Sequence, residues 1–292
     1  MTDRRDDLRN AVLAWGLPRL RDLPWRRTRD PWAILVAETM LQQTQVARVT
    51  ERYGAFLERF PTTAACRGAP VGDVLRAWAG LGYNRRAVSL HAAATVVEDE
   101  WAGQWRRDLA GLRALPGVGP YTARAIIAFA FELPVAVVDT NVARVLARAA
   151  GRSLTAAAVQ AAADAVAADD DPWTWNQAML DLGATVCTAR RPRCDECPVA
   201  AIAACAWQSA GRPAPDPAVG SAGVSGGQSR FEGSDRQGRG RLVDALRDAP
   251  VGVASLGTAM SWPHDSERAE RVAATLVRDG VVIVVEGQYR LP

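Results

Sequence analysis

Two short stretches of the chain contain candidate functional residues: a glycine-rich turn and, soon after it, a lone acid, Asp139. Residues 115–123 read LPGVGPYTA, and residues 138–142 read VDTNV. Gly117 and Gly119 permit a tight turn with the backbone close to a ligand. The free N–H groups of a helix that starts at this turn would form an anion site. We expect a phosphodiester there, held by Gly117, Gly119 and Thr122, although such a turn can also be purely structural.

A second acid lies in an apolar segment. Residues 32–46 read WAILVAETMLQQTQV, and helical spacing puts Ile34, Leu35 and Leu41 on the face that carries Glu38. An acid buried on such a face is costly unless it is paired or functional. Burial would favour its protonated form, which a general acid requires. A solvated position at the edge of the helix is the alternative interpretation.

The basic residues exclude one class of mechanism. All 35 are arginine, and the sequence contains no lysine. Arginine stays charged and suits bidentate contact with phosphate, but it forms no Schiff base. An enzyme that uses a lysine amine as its nucleophile is therefore excluded. The formal net charge is only +3, so affinity for a polyanion should come from local arginine patches.

Four of the five cysteines lie close together, at Cys187, Cys194, Cys197 and Cys205. A zinc ribbon would show two C-x2-C pairs, and this spacing contains one. The charged N-terminus, MTDRRDD, is unlike a signal peptide, so we expect a reducing cytoplasm and no disulfides. The pattern indicates a metal site, most plausibly an iron–sulfur cluster, with unligated buried thiols as the alternative. Cys66, which stands alone, is expected to be a packing residue.

These motifs, taken in order, resemble those of the helix-hairpin-helix DNA glycosylase superfamily, and most closely the MutY-type, A/G-specific adenine glycosylases. The resemblance covers roughly residues 8–207. It rests on seven motifs. Three have been described: the glycine turn at 115–123, the stretch VDTNV at 138–142 and the cysteine loop. The other four are PWR at 24–26, ETMLQQTQV at 38–46, LGY at 81–83 and NQAMLDLG at 176–183. Two features depart from the family. The last cysteine gap is seven residues rather than five, and Asn84 stands where many relatives have a second aromatic residue.

The resemblance implies roles for the matched residues. Glu38 matches the acid that protonates adenine at N7, and Asp139 matches the carboxylate that stabilises the sugar cation. Asn141 matches a residue that hydrogen-bonds this carboxylate. Tyr121 occupies the position where bifunctional lyases have lysine. Five further residues would contact the bases: Trp25, Arg26 and Gln177 in the adenine pocket, and Gln43 and Tyr83 in the wedge that probes the partner base.

The cysteine loop has a basic segment between its first two cysteines, Cys187 and Cys194. By resemblance, Cys187, Cys194, Cys197 and Cys205 are the ligands of a [4Fe–4S] cluster. A cluster that anchors this loop would hold its cations at a DNA phosphate, which predicts phosphate contacts by Arg190, Arg191 and Arg193. A merely solvated basic loop is the alternative.

The implied activity is base-excision repair by a monofunctional DNA glycosylase. It would hydrolyse the N-glycosidic bond of adenine mispaired with guanine or 8-oxoguanine in double-stranded DNA, as a cytoplasmic monomer without membrane contact. No apolar run reaches membrane length, because the one nearest to it, residues 122–138, is interrupted by Arg124, Glu132 and Pro134. Two alternatives remain open: a mismatch thymine or uracil glycosylase of the same superfamily, and a non-catalytic iron–sulfur DNA-binding protein.

The elements that position these residues are expected to be mainly α-helical, because apolar residues recur at helical spacing. The resemblance implies a two-lobed helix-hairpin-helix glycosylase domain over residues 1–207, with the active site in the cleft between the lobes. A six-helix barrel would cover about 30–135, and the N-terminal segment would form the cluster lobe with 136–207.

The remainder of the chain predicts a linker and a small domain. Residues 208–230 are rich in Gly, Ser, Ala and Pro, which is typical of a flexible linker. The pattern of residues 231–292 predicts three helices and a hairpin at Glu286-Gly287, which together resemble a winged helix. Such a domain would contact DNA or a protein partner. A packing appendage without a partner is the alternative. Sixty residues are too few for the Nudix-like domain that full-length family members usually carry. Both histidines, His91 and His264, are expected to be structural.

Overall fold

The computed structural model describes residues 4–168, 170–222 and 230–292. Within these ranges the chain is mainly helical, which confirms the predicted fold class. The α-helices are α1 (Arg4–Gly16), α2 (Pro31–Leu41), α3 (Val46–Arg59), α4 (Thr63–Gly68), α5 (Val71–Ala77), α6 (Arg85–Asp99), α7 (Leu109–Arg113), α8 (Pro120–Ala130), α9 (Thr140–Ala150), α10 (Ala156–Asp164), α11 (Pro172–Asp181), α12 (Pro198–Ala201), α13 (Ala206–Ser209), α14 (Asp235–Asp248), α15 (Leu256–Ala259) and α16 (Ser266–Arg278). The strands are β1 (Val251–Gly252), β2 (Ile283–Val285) and β3 (Gln288–Arg290).

The chain forms two compact units. The first comprises Met1–Pro31, Arg107–Leu109 and Gly119–Gly227, and the second comprises Trp32–Arg106, Ala110–Val118 and Gln228–Pro292. The long boundary between the two units falls at 119, and the barrel bounds of about 30–135 stay a prediction. Helix α8 packs against α11, which places it in the first unit.

Helix-on-helix packing builds the core of the first unit. Helix α1 lies along α11, and α9 contacts both α13 and the helical turn Leu182–Val186. Helix α9 contributes Val142 and Leu146 to this core, where they meet Trp175 and Leu182. Burial of such apolar side chains is the main force that holds the helices together.

Residues 208–222 differ from the predicted flexible linker, because they pack on the first unit. Arg148 is 2% exposed, and its Nη2 pairs with Oδ2 of Asp216 at 2.6 Å. Nε1 of Trp207 donates to the carbonyl of Pro213 (2.9 Å). A buried arginine is stable only with a counterion, and this segment supplies one. The remaining linker positions, 223–229, lie outside the described residues.

The second unit has its core around large aromatic residues. Trp32 and Trp78 are fully buried, and Phe56 meets Trp78 edge-on with the ring centroids 5.8 Å apart. Helix α6 packs on α4 and α5. Cys66 is also buried, and burial raises the pKa of its thiol to about 12, so it is an inert packing residue, as expected.

The C-terminal module, residues 230–292, also belongs to the second unit. Its three helices pack around Leu242, Val272 and Leu276. Strand β3 lies between β1 and β2, antiparallel to both. Glu286 and Gly287 have φ of +53° and +72°, which suits the tight turn of a two-residue hairpin. Three helices and a hairpin at Glu286-Gly287 are present, as predicted, and the likeness to a winged helix stays a prediction.

The module is anchored to α5 through its last residue. The N–H of Gly72 donates to the carbonyl oxygen of Pro292 at 2.8 Å, and a Cβ at Gly72 would lie 2.3 Å from the same oxygen. Only glycine fits this approach.

Among the described residues, no helix has the length and apolar character needed to cross a lipid bilayer.

Candidate active site and cysteine loop

The glycine turn has the local geometry of an anion site. Gly117 has φ +78°, and a Cβ there would lie 2.7 Å from Cβ of Ser89, so this position requires glycine. Gly119 precedes α8 in extended backbone, and a Cβ there would meet open space. The first N–H groups of α8 therefore start beside free volume. Thr122 is 3% exposed, which argues against phosphate contact by its hydroxyl, and Tyr121 is half-buried.

Asp139 caps the start of α9. Its Oδ1 accepts hydrogen bonds from the backbone N–H groups of Asn141 and Val142, both at 2.8 Å. Its Oδ2 accepts from Nδ2 of Asn141 at 2.7 Å. An aspartate followed by a helix is a strong capping signal, and here it fixes the direction of the carboxylate. The family resemblance implied a hydrogen bond between Asn141 and Asp139, and the structure contains it.

The half-buried position of Asp139 affects its ionisation. Burial raises the pKa of its carboxyl, while the hydrogen bonds from Val142 and Asn141 and the charge of Arg144 act to lower the same pKa. Burial is the larger effect. The arrangement yields an oriented carboxylate with few waters around it, which is suited to face a developing positive charge.

Arg144, which the sequence did not single out, connects this cap to the cysteine loop. Its Nη2 donates to Oδ1 of Asn141 and to the carbonyl of Gly183, both at 2.7 Å. Its Nε donates to the carbonyl of Cys187 at 2.6 Å. A Cβ at Gly183 would lie 2.6 Å from the carbonyl oxygen of Asn141. Asn141, which donates to Asp139, is therefore itself held through Arg144 by residues more than forty positions further along the chain.

Helix α11 carries two more residues of the predicted site region. Oδ1 of Asn176 accepts from the N–H of Val137 (2.7 Å), and its Nδ2 donates to the carbonyl of Val135 (2.9 Å). These bonds fix the segment that leads into Asp139. Gln177, the next residue, is 4% exposed.

Arg26 forms a buried ion pair with Asp181, which lies on the same helix, α11. Its Nη1 and Nη2 donate to Oδ2 and Oδ1 of Asp181 at 2.7 and 2.8 Å. Hydrogen bonds and charge from Arg26 and Arg21 lower the pKa of Asp181, against the effect of burial, which is the largest single effect. Gln177 and Asp181 are one helical turn apart and share a face. Arg26, Trp25 and Gln177 therefore occupy one region, where Arg26 is held by the carboxylate of Asp181.

Glu38 lies on α2 in the second unit. It is 5% exposed, and all residues from Trp32 to Met40 on this helix are buried. The position is therefore not the solvated helix edge that the sequence left open.

The two residues predicted to probe the partner base lie in loops with unusual backbone. Gln43 has φ +57° and Tyr83 has φ +48°. Positive φ is uncommon outside glycine and is concentrated at functional sites. Both residues are exposed, Tyr83 to 42%. We call residues 42–45 the Gln43 loop and residues 80–84 the Tyr83 loop.

Arg86 joins these two loops. Its guanidinium donates to six oxygens within 3.1 Å: the carbonyls of Thr39, Met40 and Gln42 and the hydroxyl of Thr44 on one side, and the carbonyls of Leu81 and Gly82 on the other. Burial lowers the pKa of Arg86 to about 10, so it stays charged at neutral pH. Sequence analysis missed it, since nothing local distinguishes it from the other arginines.

The four cysteines of the loop line one small pocket in the first unit, beside Arg148 and Trp207. Nη1 of Arg148 lies 3.3 Å from Sγ of Cys187. No group of three His, Cys, Asp or Glu side chains in the described part of the chain suits a single metal ion. Four thiols that line one pocket fit an iron–sulfur cluster, in which each thiolate would bind a different iron. A bound cluster would cross-link the loop at four points.

The basic segment of this loop has one fixed arginine and two open ones. Nη2 of Arg193 donates to the carbonyl of Thr185 at 2.6 Å, and its Nη1 lies 3.2 Å from Oε1 of Glu196. Arg190 and Arg191 are exposed, and neither forms an ion pair with another described residue. Their charges are therefore available to an external anion.

Comparison with known proteins places these features in a family. Residues 36–166 match the HhH-GPD superfamily of base excision DNA repair proteins, and residues 187–202 match the iron-sulfur binding domain of endonuclease III. The second match includes three of the four cysteines and supports a [4Fe–4S] cluster as the cofactor. Cys205, which follows the long gap, lies just beyond the match and lines the same pocket.

Three individual proteins are similar over long stretches. The adenine DNA glycosylase of Mycolicibacterium smegmatis is 44% identical over 286 residues, 96% of this chain and 94% of that protein. That of Mycobacterium tuberculosis is 43% identical over 289 residues, 96% of this chain and 92% of that protein. A solved thermostable thymine-DNA glycosylase is 28% identical with a TM-score of 0.67, and the match covers 70% of this chain and 97% of that one. The chain therefore belongs to the adenine DNA glycosylase family, within the HhH-GPD superfamily of base excision repair proteins.

Proposed function

We propose that this protein removes adenine mispaired with guanine or 8-oxoguanine from double-stranded DNA, by hydrolysis of the N-glycosidic bond and as a monomer. The observation that carries the proposal is the carboxylate of Asp139, oriented by three hydrogen bonds at a helix start. The two mycobacterial relatives, which match almost the whole chain, are named adenine DNA glycosylases and support the choice of base.

The proposed chemistry divides the work between two acids. Loss of the base leaves an oxocarbenium-like sugar, and adenine is a poor leaving group unless it is protonated. Glu38, which is buried, donates the proton to N7 of adenine. Asp139 in its ionised form stabilises the positive sugar carbon. Glu38, which is then charged, activates the attacking water.

The adenine must leave the base stack before either acid can act on it. Base flipping costs a few kcal/mol, and intercalating side chains with backbone contacts offset that cost. We assign the intercalating role to Gln43 and Tyr83, whose exposed loops have the backbone for it. Arg190 and Arg191 provide phosphate contacts. The flipped base is held by Gln177 with Trp25, and Arg26 acts there through its ion pair with Asp181.

The reaction should be monofunctional. The chain has no lysine to form an imine with the sugar, and Tyr121 takes the lyase position. Treatment with borohydride during turnover should therefore trap no protein–DNA adduct. A stable adduct would contradict the proposal.

A mismatch thymine glycosylase is the second candidate, favoured by the similarity to the solved thymine-DNA glycosylase. Adenine is preferred because N7 offers a site for the proton of Glu38, and thymine has no N7. The two are separated by single-turnover incubation with duplexes that carry A opposite G, A opposite 8-oxoguanine or T opposite G, followed by alkali. Strand cleavage only at adenine supports the proposal. Cleavage only at thymine, or none in any duplex, would overturn it.

A further inference from the structure

The second unit contains a large open groove. Its volume is about 1050 Å³. One wall consists of the Gln43 loop, the Tyr83 loop and the start of α6. The other wall comes from the C-terminal module, mainly α14 and Phe231, which lies four residues before the start of that helix.

The groove is strongly positive. Six arginines and two aspartates line it, which leaves an excess of four positive charges: Arg48, Arg85, Arg86, Arg236, Arg239 and Arg247 against Asp244 and Asp279. The aspartates are already engaged, Asp279 by Arg239 at 2.5 Å and Asp244 by Arg247. Arg48 is exposed and has no ion-pair partner in the described part of the chain. Such a surface is complementary to a polyanion.

Two exposed aromatic rings face the same groove. Phe231 is 57% exposed and Tyr83 is 42% exposed. The guanidinium of Arg236 spans them: its central carbon lies 5.9 Å from the ring centroid of Phe231, and Nη1 lies 3.4 Å from the hydroxyl of Tyr83. Exposed aromatic rings among cations are the combination that proteins use to stack an unpaired base while holding its phosphate.

The groove also has firm walls. Nε of Arg247 donates to the carbonyl of Leu75 (3.3 Å), and its Nη2 donates to Oδ1 of Asn84 in the Tyr83 loop (3.4 Å). The hydrogen bond from the N–H of Gly72 to the carbonyl oxygen of Pro292 is a third connection between the two walls. A preformed groove loses little conformational freedom when a ligand binds.

We propose that this groove is a subsite for one unpaired nucleotide of DNA, with its base stacked on Phe231 and its phosphates held by Arg48 and Arg236. The inference builds on the proposed function, since Tyr83 lies in the loop assigned to enter the duplex. A displaced nucleotide next to that loop has its base unstacked, and the aromatic ring of the module offers a replacement surface. An acidic protein segment would use the charges but would have no need of an aromatic face.

The test measures binding by fluorescence anisotropy, with the full chain and two labelled duplexes. One is fully paired, and the other has a single unpaired thymidine. Phe231→Leu keeps an apolar side chain but removes the aromatic face, so affinity for the duplex with the unpaired thymidine should fall at least about fivefold. Affinity for the paired duplex should change less than about twofold by the same reasoning. Phe231→Trp should retain the preference for the unpaired thymidine.

Arg236→Ala should weaken binding of both duplexes, and more strongly that of the duplex with the unpaired thymidine. Arg278→Ala and Val284→Ala are the matched controls, because both residues are exposed in the same module but do not line the groove. Thermal melting confirms that each variant is folded, which is expected at exposed positions.

Three results would overturn the proposal: unchanged affinities in both groove variants, equal losses for the two duplexes with Phe231→Leu, or loss of binding to a poly-glutamate probe while both duplexes bind normally. The last result would identify a protein-docking surface. Thymidine is no substrate of the proposed reaction, so the binding test does not depend on turnover. Failure of adenine release is scored separately on A opposite G.

Discussion

The segment around Asp139 and the pair of loops that carry Gln43 and Tyr83 are held in two different ways. Asp139 is fixed mainly by its own neighbours, since all three donors to its carboxylate belong to the next three residues. The two loops depend on one side chain outside both of them, Arg86, which donates to oxygens of each loop. A capped helix start is stable by itself, whereas two loops with positive φ need an external clamp.

This contrast predicts different responses to substitution. At Asp139 the chemistry can be removed without disturbing the backbone, because an amide still caps a helix. At Arg86, which we do not place in contact with substrate, the structure itself should fail.

The largest effect is expected at the acids. Asp139→Asn should lower the single-turnover rate of adenine release by roughly 10²–10³-fold, because it removes the charge opposite the sugar cation. Glu38→Gln should lower it by roughly 10²–10⁴-fold, because it removes the proton donor. Rates are measured on duplexes with A opposite G, and duplex affinity by anisotropy should change little. Near-normal turnover in either variant would refute the two-acid scheme.

The next effect tests the clamp. Arg86→Ala leaves up to six oxygens without their donor, and we expect the free energy of unfolding to fall by on the order of 3 kcal/mol. Denaturant unfolding measures the change. Arg86→Lys is the matched variant: it keeps the charge but cannot reproduce the planar fork of donors, so it should recover less than half of the loss. Full recovery by lysine would show that charge, and not geometry, holds the loops.

A smaller effect concerns pH. Asp139 must be ionised to act, so activity falls as the pH drops through its folded-state pKa, which burial raises. Nδ2 of Asn141 lowers that pKa. Asn141→Ala should therefore move the acid limb of the single-turnover rate to higher pH. Thr140→Ala, at an exposed neighbouring position, should leave the limb in place. A shift to lower pH in Asn141→Ala would contradict the assignment.

The smallest effect is expected outside both regions, in the cysteine loop. Each phosphate contact contributes about 0.9 to the slope of log K against log salt concentration. Joint replacement of Arg190 and Arg191 by alanine should reduce the magnitude of that slope by about 1.8 on this basis. Arg193→Ala should reduce it less, because its guanidinium is already held by Thr185 and Glu196. An unchanged slope in the double variant would mean that the loop is only solvated.

The same contrast explains what the sequence could reveal. Capping is local, and the resemblance of the short stretch 138–142 already implied the hydrogen bond between Asn141 and Asp139. The spacing of four cysteines predicted the cluster loop for the same reason. The C-terminal helices and hairpin also followed from short-range patterns.

Long-range partners were not visible in the sequence. Arg86, Arg144 and Arg148 are three among 35 arginines, and only folding shows which carbonyls or carboxylates each one meets. Asp216 was assigned to a linker because the composition around it is typical of one, and its ion pair with the buried Arg148 could not be anticipated. The positive charge of the groove between the two loops and the C-terminal module could not be predicted for the same reason, because its walls come from separate parts of the sequence.

Arg86 has a consequence for the interpretation of inherited or engineered variants in this family. A scoring scheme that ranks positions by distance from the reacting atoms would treat Arg86 as neutral. Its single guanidinium instead couples the conformations of two separate loops, so a change there should alter both at once. Severity at such a hub depends on the number of backbone groups it satisfies, which is a property that can be counted from coordinates before any assay.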